Sequence, residues 1–184
     1  MDSTPERPVW TTSTLARSTW SDSHIFGKPH ATEYDSSATS DATVGNTDGV
    51  TVYYEHETGV NQIKSGSATA IAASIESGDF DISAAQGGGA DLRGDGEYIM
   101  KIRRVLPDFL QQTGDARVTL NLKNYPTDSQ ASSSLGPFTT TTTTTKIDTR
   151  ARARAISLKV DNTSTGQHWK LGTFRLDIQA DGRR

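Results

Sequence analysis

Three arginines at every second position, Arg150, Arg152 and Arg154, carry the clearest chemical signal in the chain. On a β-strand alternate side chains share a face. Thr149–Ile156 (TRARARAI) therefore presents a ladder of guanidinium groups on one face and alanines on the other. Ile156, Leu158 and Val160 continue the arginine face, which would pass from charged to apolar along one strand. Planar guanidinium groups take carboxylates and phosphates through paired hydrogen bonds. Three readings follow: pairing with carboxylates of a neighbouring subunit, pairing within the chain's own sheet, or contact with DNA phosphates in a channel. No aromatics interleave the arginines, so the DNA signal is the weakest.

Other reactive side chains do not assemble into a catalytic pattern. Glu55-His56-Glu57 lies in a strand-like run, which sets His56 against both carboxylates and prevents local convergence on one ion. A solvated or interface strand with one packed histidine is the expectation. Asp79, Asp81, Asp91, Asp95 and Glu97 lack the ligand spacing of a calcium loop and read as turns. There is no Gly-x-Ser-x-Gly elbow, no Walker-type or dinucleotide glycine motif, and no cysteine for thiolate or disulfide chemistry. No catalytic residue, metal or cofactor is expected, and the chain reads as a non-enzyme.

Composition points towards assembly. Only 33% of the residues are hydrophobic, low for a globular domain. Thirteen aromatics and clear strand patterns nevertheless argue for folding, with stability completed by neighbouring subunits. The net charge of −3 is unevenly spread. Residues 150–184 hold eight Lys/Arg against three Asp, a net +5, and the preceding residues carry −8. Opposite ends of this kind can pair within a chain or between copies. Met1–Glu6 has no basic-then-apolar leader, and no apolar run nears the roughly 18–20 residues of a membrane span. The expected location is the cytoplasm, or a particle assembled there without a membrane.

The elements that would position these residues are strands. Residues 1–48 are rich in Ser, Thr, Asp and Ala, and read as an extended N-terminal arm. Trp10 and Trp20 stand in that polar background, to dock in partner pockets or to pack on the chain's own domain. Residues 49–184 read as the β-rich domain. Strands are expected at Val50–Glu57, Ala68–Ile75, Glu97–Leu106 and Arg117–Lys123, then at Ile147–Val160 and Lys170–Gln179. The last two would be joined as a hairpin through Asp161–Gly166, and Thr139–Thr145 would lead into them extended. Turn signals every dozen or so residues imply an all-β, antiparallel sandwich or barrel with an extended arm.

Several segments together carry a family resemblance. Lys146–Ile156 (KIDTRARARAI) and His168–Arg184 (HWKLGTFRLDIQADGRR) resemble the end of structural proteins in the tail and neck of short-tailed bacteriophages. Val52–Gly59, Ile75–Asp81 and Arg104–Phe109 extend the match, which covers roughly residues 50–184. The pattern is similar to the C-terminal portion of packaged-DNA stabilisation, or tail nozzle, proteins. Those proteins are several times longer and often contain a β-propeller-like body. The resemblance implies a virion protein that forms a homo-oligomeric ring with other tail or neck proteins, nozzle or adaptor, and helps retain packaged DNA. Contact with lumen DNA would be non-specific. On that view Trp10, Trp20, Arg150, Arg152 and Arg154 are the subunit-interface candidates. A second reading is a tail-associated host-recognition module, a carbohydrate-binding β-sandwich using Tyr53, Trp169 or Phe174.

Overall fold

A computed structural model describes residues 17–22, 25–35, 50–64, 66–82, 98–125 and 133–183. Among these the protein is all-β, with several antiparallel sheets. The chain divides into two compact units, residues 1–59 and 60–184. Two strands of the first unit lie within residues 1–48.

The first unit is a three-stranded sheet in the order β1 (Thr19–Ser21), β2 (His30–Asp35), β3 (Val50–Glu55). Alternation sorts its faces. Ala31 and Tyr54, directly opposite in register, are buried, and Trp20, Glu33 and His56 share their side. Tyr53 and Tyr34 project from the other side and are exposed. Three strands with one partly covered face meet the minimum for a sheet of this kind.

In the second unit two sheets share one core. The first has the order β11 (Ile147–Ala153), β7 (Tyr98–Leu106), β14 (Arg175–Arg183). The second runs β10 (Ser133–Thr140), β9 (Ala116–Lys123), β12 (Ala155–Asp161), β6 (Ser74–Glu76). Met100, Ile102, Val105, Ile147, Ala151 and Ala153 face inward from the first; Val118, Leu120, Ile156 and Val160 do so from the second. Interdigitated inner faces of this kind make a β-sandwich core. Two short ribbons complete the unit, β13 (His168–Leu171) with β8 (Phe109–Thr113), and β4 (Asn61–Lys64) with β5 (Ser67–Ala70).

The structure corrects the expectation of one long strand over Ile147–Val160. That stretch breaks at Arg154, and its halves belong to different sheets. Up to the break, odd-numbered residues point inward: Ile147, Thr149, Ala151 and Ala153 are buried. Beyond it Ile156 and Val160 point inward instead. A strand that turns a sandwich corner changes which side faces the core. The arginine face therefore does not continue into Ile156, Leu158 and Val160. Asp161–Gly166 likewise closes no hairpin, because β12 pairs with β9 and β6 while β13 pairs with β8. Thr141–Thr144 forms a turn held by threonine hydroxyls rather than a strand, Thr144 Oγ1 accepting the Thr141 N–H at 2.9 Å.

Lys170–Gln179 also divides. β7 and β8 run antiparallel to β14 and β13 as one long ribbon, interrupted at Pro107-Asp108 and Gly172–Phe174. At that point the Gly172 N–H donates to the Asp108 carbonyl at 2.8 Å. A Cβ on Gly172 would lie 2.8 Å from the same carbonyl oxygen and 3.0 Å from the Asp108 side chain. Backbone cannot yield as a flexible side chain does. Gly172→Ala is expected to lower stability by about 1–3 kcal/mol. Urea unfolding of the purified chain checks this; an unchanged midpoint would show that the ribbon is looser at Asp108 than described.

Candidate functional site

β11 explains how the arginines reach solvent. Its inward residues are small or β-branched, so the strand lies close to the core, and the Thr149 hydroxyl donates to the Ile102 carbonyl at 2.7 Å. Asp148, Arg150 and Arg152 are left on the outer face. Arg154 does not join them. It sits half-buried in the bend between the sheets, its backbone N–H donating to the Lys123 carbonyl at 3.1 Å.

The neighbouring strand adds cations that alternation alone does not predict. Ile102 is aligned with Ala151 and Ile178, and Arg104 with Asp148 and Asp177. Between those positions β7 has one residue, Arg103, whereas β11 has two and β14 has none. This is a β-bulge, a device that re-aims side chains. Ile102 and Val105 point into the core, and Arg103 and Arg104 both stay outside. Lys101, opposite Arg152, shares their side.

Lys101, Arg103, Arg104, Asp148, Thr149 and Arg150 line a shallow open groove of about 270 Å³. Its electrostatics are uneven. Arg104 and Lys146 reach Asp148 at 3.0 and 3.1 Å, and these partners, Arg104 first, hold its carboxyl below the usual carboxylate range. Arg152 is paired with Asp181 across the sheet. Lys101, Arg103 and Arg150 have no carboxylate within 4 Å among the described residues. Among the described residues the groove thus presents three uncompensated cations around one carboxylate already in use. It has the charge to hold an anionic partner.

Trp10 falls outside the described residues. Trp20 is 56% exposed, its ring 4.5 Å from that of His56. His56 accepts from Arg17 Nε at 3.2 Å, and Arg17 also reaches Glu33 at 2.9 Å and stacks 4.0 Å above Tyr54. Burial, then the Arg17 charge, lowers the His56 pKa, so the neutral ring is the acceptor. Glu55 lies on the opposite face of the sheet and pairs with Lys28 at 3.1 Å. Among the described residues no group of three or more His, Asp or Glu could hold a metal ion.

Two of the three arginines flagged by the sequence, Arg150 and Arg152, therefore belong to a group of five whose other members are Lys101, Arg103 and Arg104. Two adjacent arginines inside a hydrophobic strand are the signal that could have found them, since they break the inward-outward alternation. The chain matches no family model and no curated protein.

Proposed function

We propose that the chain is a structural component of a tailed-bacteriophage virion, working as an assembling ring in the tail or neck, nozzle or adaptor, and helping to retain packaged DNA. The observation that carries the assembly reading is the bulged outer face of β7 and β11, which leaves Lys101, Arg103 and Arg150 without a carboxylate within 4 Å among the described residues. An excess of exposed positive charge on a sheet face suits docking to a charged neighbour more than it suits folding. The low hydrophobic content agrees, since neighbours would supply what the core does not. The phage assignment rests on the sequence resemblance of residues 50–184, and flanking tail or neck proteins would be the other partners.

The carbohydrate-binding alternative asks for an exposed aromatic platform. Tyr53 is exposed. Trp169 and Phe174 instead pack against the core cluster, Phe174 edge-on to Phe109 at 5.5 Å. That reading has less to draw on.

Native mass spectrometry of the purified full chain tests the proposal. One closed stoichiometry of several copies is expected, gained as protein concentration rises and lost in high salt. A monomer at every concentration and ionic strength would remove the ring.

A further inference from the structure

Building on the assembly reading, we propose that the β7–β11 groove of one copy takes the acidic end of the three-stranded sheet of a second copy, in a head-to-tail contact. The two compact units differ in sign. Residues 1–59 carry nine Asp/Glu against three Lys/Arg, a net −6, and residues 60–184 carry the balancing +3. The register of the first unit sets Ser21, His30 and Glu55 side by side. Asp22 and Glu57, just beyond Ser21 and Glu55, therefore belong to the same end of that sheet. Lys28 occupies Glu55, but Asp22 and Glu57 have no cation within 4 Å among the described residues. Glu57 also holds a left-handed φ of 57°, an uncommon backbone state for a residue with a side chain. The unpartnered carboxylates of the first unit thus match the unpartnered cations Lys101, Arg103 and Arg150 of the second.

The groove's own chemistry favours carboxylates over a phosphate backbone. Asp148 already sits in it, bridged by Arg104 and Lys146. Separate carboxylates can pair with the cations around Asp148, whereas a continuous phosphodiester chain would meet its charge. The two surfaces differ, so the contact is heterologous. Such contacts close into rings when the rotation between copies allows.

Sedimentation velocity on the full chain provides the test, comparing wild type with Arg103→Glu/Arg150→Glu and with Asp22→Lys/Glu57→Lys. Each reversed pair places like charges together and is expected to weaken self-association by about a hundred-fold or more. An equimolar mixture of the two variants is expected to restore it, because each supplies the surface that the other lacks. Far-UV circular dichroism monitors folding, and Arg103→Gln/Arg150→Gln carries the test in the same direction if a reversal unfolds. Were the wild type to assemble and the groove variant to assemble equally well, the groove assignment would be wrong and the ring reading would stand. A wild type that never assembles overturns both. Loss of binding to a labelled DNA duplex in the groove variant, with self-association unchanged, would make nucleic acid the occupant and overturn the second copy. Persistent monomers whose thermal stability falls in each variant and recovers when all four changes are combined would overturn it in favour of pairing within one chain.

Discussion

Leu120→Ala is expected to lower the unfolding free energy of the second unit by about 2–5 kcal/mol. Leu120 is fully buried at the middle of β9, between Leu135 of β10 and Leu158 of β12. It also belongs to the cluster that joins this sheet to β7 and β11. Its removal leaves a cavity where the two sheets meet, and a close-packed interior does not collapse to fill it. Typical domains have only about 5–15 kcal/mol in hand. The loss should therefore be visible as a large shift of the urea midpoint with an unchanged slope. A loss below about 1 kcal/mol would mean that the two sheets do not share this core. The consequence reaches function, because Arg103 and Arg150 are placed by strands whose inner faces pack here.

Asn162→Ala is the second large effect. Asn162 is 3% exposed at the end of β12 and ties two other segments to it. Its Nδ2 donates to the Ile71 carbonyl at 3.0 Å, and its Oδ1 accepts from the Ala73 N–H at 3.3 Å and the Trp169 indole N–H at 3.0 Å. Alanine leaves all three partners without that amide. Leaving a buried polar group unpaired costs about 1–3 kcal/mol, and water can reach Ile71 more easily than Trp169, so a total near the upper end of that range is expected. Urea unfolding measures the loss, and tryptophan emission should move to the red as Trp169 loosens. Wild-type stability with unchanged emission would show that the amide holds neither segment.

Asn162 also marks where the sequence stops being legible. Asp161–Gly166 reads as a turn-rich loop, and the chain does bend and turn at Ser164–Gly166, but the partners that make Asn162 a hub lie about ninety positions away or in the next strand. Local patterns were a good guide where one face is buried and the strand is straight. Val118 and Leu120 point inward from β9, and Tyr54 from β3, as period-two alternation requires. The break at Arg154 had no such signal. No glycine or proline marks it, and unbroken alternation through Val160 describes one flat strand equally well. Which sheet each half joins is decided by packing around the corner. Gly172 is similar, since its lack of a side chain matters only because Asp108 arrives from the break between β7 and β8, over sixty residues earlier.

For the candidate site, Arg150 and Arg152 were legible and their company was not. Ala151 and Ala153 alternate with them, and small inward residues against charged outward ones identify an exposed face. Lys101, Arg103 and Arg104 come from a strand more than forty residues away, and a one-residue bulge turns both arginines outward. Arg154 was assigned to the ladder by spacing alone, and the corner removes it.

In the proposed assembly the cationic face of β7 and β11 is completed by another molecule. A cryo-electron-microscopy reconstruction of the assembled particle tests this most directly. Arg103 and Arg150 are predicted to be buried against carboxylates of a neighbouring copy. Finding both arginines in solvent on the outside of the particle, with no protein against the groove, would contradict it.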